Sequence, residues 1–190
     1  MFENRITPFQ NFETPGSASP ANASAYLYNM ALQRFKSALR TGSLYRLRRK
    51  IMHGQQWLYD LNAIKPALTL RGSFYAGIQA VPIHSIIGSE GKVSDFDMAF
   101  HPLRETSRER WLGIAMAYLG GLPLPPVQLI QVGDAYFVRD GHHRISVSQA
   151  FGQTHMDAEV IIWQAVPPFP WQPTELQKEA VIQRKLDPSI

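Results

Sequence analysis

Five consecutive residues, Asp140-Gly141-His142-His143-Arg144, carry the densest chemistry in the chain. A glycine lets the backbone come close to a ligand. If a helix begins here, its first amides point outward and favour an anion. Two histidines and an arginine add donors and positive charge, and an arginine can grip a phosphate through paired hydrogen bonds. Gly141, His142, His143 and Arg144 are therefore suited to a phosphate or a nucleotide. Each of the polar residues also has a plainer use. Arg144 would serve as an ion-pair partner for Asp140 or Asp134, His142 as a hydrogen-bonded core residue, and Asp140 as the cap of the helix.

A second group of carboxylates, Glu90, Asp95 and Asp97, falls on a loop opened by Gly88 and Gly91. Carboxylates on such a loop suit a divalent ion or a general base, and equally suit a solvated loop. His84, His101 and His155 could be grouped with His142 and His143, but their spacing matches no zinc signature. The four tryptophans, Trp57, Trp111, Trp163 and Trp171, read as core or rim residues, because they are not interleaved with basic residues on one strand face.

The elements that must position these residues are legible in outline. Pro125 to Val132 and Ala135 to Val138 are apolar, strand-like runs joined by Gly133-Asp134, a strong hairpin signal. A helix follows from His142 to about Phe151. Upstream, Val81–Ile87 reads as a strand. Ser107–Leu119 reads as a helix with Trp111, Leu112, Ala115 and Leu119 as its core stripe, stopped by Gly120-Gly121 and the prolines beyond. Nearer the N-terminus, Ser24 would cap a helix running to about Arg40, with Leu27, Met30, Ala31, Phe35, Ala38 and Leu39 on one stripe. Thr41-Gly42-Ser43 would break it, with Gly42 as the stop and Ser43 as the next cap, and a second helix would run from about Leu44 to Asn62, carrying Leu47, Ile51, Leu58 and Leu61. A last helix is expected from about Thr174 to Leu186.

Four of these segments resemble the ParB/sulfiredoxin superfamily over roughly Val81 to Ile162. Val81-Pro82-Ile83-His84-Ser85-Ile86 is similar to its opening strand, and Arg108 to Leu119 to its intervening helix. Leu124-Pro125-Pro126-Val127 resembles the start of its central hairpin, and Asp157 to Ile161 its closing strand. The resemblance implies that Gly141 to Arg144 hold the phosphates of a nucleotide (ATP, ADP or CTP). Asp-Gly-His-x-Arg is also similar to the motif of the superfamily's free-serine kinases. That likeness implies catalytic roles for Glu90, near a substrate hydroxyl, and for Asp140, beside the phosphates. A carboxylate there would repel phosphate unless a proton or Mg²⁺ intervened. The pattern departs from the family in three places. His142 stands where sulfiredoxin has its cysteine. His142-His143-Arg144 replaces the Glu-Arg-Arg of ParB. The middle helix is largely apolar, with only Arg104, Arg108 and Arg110 as anion contacts.

Composition sets the bounds. The chain has 190 residues, 45% of them hydrophobic and 18% charged, enough for one compact domain with extensions. There is no cysteine, which excludes disulfides, thiolate metal sites and sulfiredoxin chemistry. No apolar run approaches the ~20 residues that span a bilayer, and the first residues lack the apolar core of a signal peptide. A cytoplasmic protein with no membrane partner is expected.

Charge is unevenly spread. Residues 1–80 hold ten Lys/Arg against three Asp/Glu, whereas residues 81–170 hold six against nine. From Thr14 to Tyr59 there is no acid, and Arg34, Lys36, Arg40, Arg46, Arg48, Arg49 and Lys50 fall in that stretch. Such a block has the footprint of a DNA-binding arm, or of a solvated helix face that balances an acidic neighbour.

The expected fold is α/β: a small mixed sheet with packed helices, a helical N-terminal extension and a C-terminal helix. Three parts are expected: residues 1–77 as arm and basic helices, 78–165 as the ParB/sulfiredoxin-like domain, and 166–190 as a Pro-rich segment and helix. Three functions fit: a DNA-associated phosphate- or nucleotide-binding protein, a small-molecule phosphotransferase, or a non-catalytic binding module. No motif specifically supports nuclease activity, and there is no helix-turn-helix pattern after residue 162.

Overall fold

The computed structural model describes residues 20–172; the expected arm at 1–19 and the expected helix at Thr174–Leu186 lie outside them. The chain forms α1 (Pro20–Ile51), β1 (Tyr59–Asp60), α2 (Leu61–Ile64), β2 (Thr69–Pro82), β3 (Ile86–Ser89), α3 (Arg108–Leu119), β4 (Val127–Val132), β5 (Ala135–Asp140), α4 (His142–Ala150) and β6 (His155–Val166). The six strands make one mixed sheet in the order β1-β3-β5-β4-β6-β2. β1 runs parallel to β3, β3 to β5 and β4 to β6, while β4/β5 and β2/β6 are antiparallel. The α/β architecture with a helical N-terminal part is as the sequence predicts.

Strand alternation sorts the core into two faces. On β4, Val127 and Leu129 join one cluster with Val138, Ala158, Val160 and Ile145, while Ile130 and Val132 join the other with Ala135, Phe137 and Trp163. This period of two on β4, β5 and β6 marks a sheet covered on both sides. The first face is closed by α4 and by Phe96 and Phe100. Beyond it, α1, α3 and α4 share a third cluster of Ala31, Phe35, Trp111, Leu112, Ala115 and Val147. The second face is closed by Leu61, Leu68 and Phe169.

Three local expectations are corrected. The break at Thr41-Gly42-Ser43 does not occur, and α1 is a single 32-residue helix. Gly42 is buried against the loop at residues 97–101. A Cβ there would lie 2.6 Å from His101 Cβ and 3.0 Å from Arg46 Nη1. The glycine is thus a close-packing contact rather than a helix stop. Ser43 Oγ donates back to the Leu39 carbonyl at 3.1 Å instead of capping a new helix.

The second expected helix does not form as a separate element: residues 44–51 are the end of α1, and from Met52 the chain turns into β1 and α2. Of its expected apolar positions, Leu58 and Leu61 are buried, whereas Leu47 and Ile51 are 57% and 69% exposed.

The strand expected at Val81–Ile87 is split: Val81 and Pro82 end a much longer strand, and Ile86 and Ile87 begin β3. β2 occupies Thr69–Pro82, crossing the expected boundary at residue 78. A 3₁₀ turn at Ile83–Ser85 then separates it from β3. Register shifts between Leu70 and Gly72 and between Tyr75 and Ile78 interrupt its alternation.

Candidate functional site

The site is built at the junction of β5 and α4. Gly141 caps α4 with φ 106°, in the left-handed region, and a Cβ there would run into the Val127 side chain. Only glycine meets both demands. The turn sends the next two histidines to different places.

His142 points into the core. It is 5% exposed, and its Nε2 lies 2.7 Å from the hydroxyl of Ser89, itself fully buried at the end of β3. Ser89 Oγ also accepts the Lys92 amide N–H at 3.1 Å and lies 3.4 Å from the Val138 carbonyl. The hydroxyl therefore has a partner for its proton, His142 or the Val138 carbonyl, and a donor to its oxygen, the Lys92 amide. Burial, then the charge of Lys92, pushes the His142 pKa down to about 4. His142 is a neutral strut between β3 and α4, with its ring stacked on Phe96.

His143 turns the other way. Its ring meets the Phe96 ring edge-on at 5.2 Å, and its Nε2 is buried with no hydrogen-bond partner among the described residues. It lines a cavity of about 250 Å³ together with Lys92, Asp95, Arg104, Thr106, Ser107 and Arg110. Burial and then the cations Arg110 and Lys92 push its pKa down to about 4. The pocket thus collects three cations, one carboxylate, two hydroxyls and a neutral imidazole. It opens where α3 begins, so the helix dipole adds to the positive field. Such a pocket can hold phosphate groups. Asp95 is its one carboxylate, which suits Mg²⁺ bound mainly through the phosphates of a ligand. Among the described residues no group of three His, Asp or Glu could hold a metal ion by itself.

The other predicted residues are placed elsewhere. Arg144 Nη1 donates to the carbonyls of Pro125 (2.8 Å) and Pro126 (2.6 Å), and Nη2 pairs with Asp140. Arg144 borders a separate cavity of about 430 Å³ with Tyr118, Gln153, His155 and Asp157, which shares no residue with the His143 pocket. Asp140 does not cap α4, because Gly141 holds that position. Glu90 accepts two hydrogen bonds from Arg139, at 2.7 and 3.3 Å, and the pair holds the arginine pKa above its ordinary value. Asp97 is fully buried and accepts the backbone N–H groups of Ala99 and His101 as well as Arg46 Nη1. It is a structural carboxylate.

The basic cluster divides in two. Arg46 pairs with Asp97, Arg49 Nε donates to the Gln55 carbonyl, and Arg34 lies over the Phe151 ring. Lys36, Arg40, Arg48 and Lys50 are exposed on α1.

Lys92, Thr106 and Ser107 are the pocket residues that sequence reasoning missed, and Lys92 is the charged one. It sits in a Gly-flanked turn, 51 positions before His143, and no spacing rule links the two. Arg104 and Arg110 were among the expected anion contacts, whereas Arg108 is drawn off to Glu105 and Glu109. No family model matches the sequence, and no curated protein matches it.

Proposed function

We propose that this protein binds the phosphates of a nucleotide in the pocket formed by Lys92, Arg104, Arg110 and His143. The observation that carries the reading is a cavity lined by three cations, Lys92, Arg104 and Arg110, against a single carboxylate, Asp95, with His143 in its wall. The resemblance of the Gly141–Arg144 turn to the nucleotide-holding turn of the ParB/sulfiredoxin superfamily supports the same reading. His143 is the member of that turn that lines this cavity. His142 and Arg144 hold the turn in shape, through Ser89 and through the carbonyls of Pro125 and Pro126.

The test is calorimetric titration with ATP, ADP and CTP in the presence of Mg²⁺. Saturable micromolar binding of at least one of them, weakening as salt is raised, is the expected result. Absence of binding by all three contradicts the proposal.

A further inference from the structure

The C-terminal half of α1 carries an apolar stripe that the described residues leave uncovered. Leu44, Leu47 and Ile51 are 69%, 57% and 69% exposed. Their spacing of three and then four residues places them on one line of the helix. The residues that face the protein, Ala38, Gly42, Tyr45 and Arg49, lie on the opposite side. The stripe is narrow: two positions in seven are apolar, which is the width of a helix-pairing seam and not of a helix lying in a membrane surface.

The shoulders of the stripe are basic. In the seven-residue frame that puts Leu44 and Ile51 at a and Leu47 at d, the flanking e and g positions are Lys36, Thr41, Ser43, Arg48 and Lys50. Arg40 lies in line, one turn before Leu44. No acid occurs between Thr14 and Tyr59. Charges at e and g select partners by sign. A second copy of α1 would set cation against cation. Residues 173–190 of this chain balance three acids with three bases and do not supply the missing sign. Phosphates of DNA would meet the cations but leave the three aliphatic side chains in water.

We propose that Leu44, Leu47 and Ile51 form a docking seam for an acidic amphipathic helix of a partner protein. The seam is independent of the nucleotide pocket. The probe is a synthetic three-heptad peptide with leucine at its seam positions and glutamate at its flanks, with the lysine-flanked version as control. Binding to the full chain is followed by fluorescence anisotropy.

The glutamate peptide binds and the lysine peptide does not. Leu47→Asp weakens binding at least about tenfold, the worth of one buried leucine. Arg48→Glu with Lys50→Glu reverses the preference between the two peptides. All three residues are on the solvent side, so circular dichroism and the melting temperature stay at wild-type values. Equal binding of the two peptides overturns the proposal. So does tighter binding to duplex DNA, or to phosphatidylcholine vesicles containing one-third phosphatidylglycerol. Self-association abolished by Leu47→Asp would overturn it too.

Discussion

Ser89 Oγ and His142 Nε2 lie 2.7 Å apart with both side chains buried, which ties the last residue of β3 to the first residue of α4. The loop that leaves β3 carries Lys92 and Asp95, and the helix entered by His142 carries His143. One buried contact therefore sets the relative position of two walls of the pocket. His142→Ala removes the strut and leaves Ser89 without it. A loss of about 1–3 kcal/mol in unfolding free energy is expected, read from urea denaturation. The same variant should weaken nucleotide binding although residue 142 does not line the pocket.

The two histidines also fix a pH dependence. Both have folded pKa values of about 4 against an ordinary 6.5, mainly through burial. Between those values the unfolded chain binds more protons than the folded one, so protonation favours unfolding. Their contribution to stability is complete above pH 6.5 and is lost progressively as pH falls toward 4. Urea midpoints measured across that window should fall with acid. The fall should be shallower in His142→Gln, which has one fewer histidine to protonate.

Gly42 offers a substitution whose sign separates packing from propensity. Alanine in a helix interior is favoured over glycine by about 1 kcal/mol. Here the added methyl would lie 2.6 Å from His101 Cβ. Overpacking of that kind costs about 1–3 kcal/mol. Gly42→Ala should lower the melting temperature, and a rise would mean that α1 does not press on the 97–101 loop as described.

Much of the hairpin and of the last two elements was legible because local chemistry and tertiary demand agree there. Gly133-Asp134 makes the turn, β4 and β5 pair antiparallel from Leu129/Val138 to Val132/Ala135, and Gly141 precedes the helix it caps. The reading failed where a residue serves a distant neighbour. Gly42 looks like a stop until the 97–101 loop is seen against it. β2 hides its 14 residues behind two register shifts and two glycines. The two histidines show the same limit. Nothing in their adjacency tells that His142 goes to Ser89 and His143 to a pocket whose cations come from residues 92, 104 and 110. Arg144, the residue best matched to phosphate by type, is held by backbone carbonyls of Pro125 and Pro126.

Glu90 bears on whether the pocket does more than bind. Its carboxylate is paired with Arg139 and does not line the pocket. Glu90→Gln should change stability by no more than about 1 kcal/mol, the worth of a partly exposed ion pair, and should leave nucleotide affinity unchanged. A phosphotransferase using Glu90 as its base would instead lose about 10²–10⁴-fold in turnover in this variant. Comparing affinity and turnover in one preparation separates a binding module from an enzyme.

The central claim is that phosphates sit among Lys92, Arg104, Arg110 and His143. Its most direct test is calorimetric titration of the wild type, Arg104→Ala/Arg110→Ala and Arg144→Lys with the tightest of ATP, ADP and CTP. Both arginines of the first variant are exposed at the pocket rim, so the fold should survive their loss. The account predicts at least about a hundredfold loss of affinity in that variant, from two charge-assisted contacts, and a much smaller change in Arg144→Lys. Wild-type affinity in the double variant, or selective loss in Arg144→Lys, would contradict it and move the ligand to the cavity beside Tyr118 and Asp157.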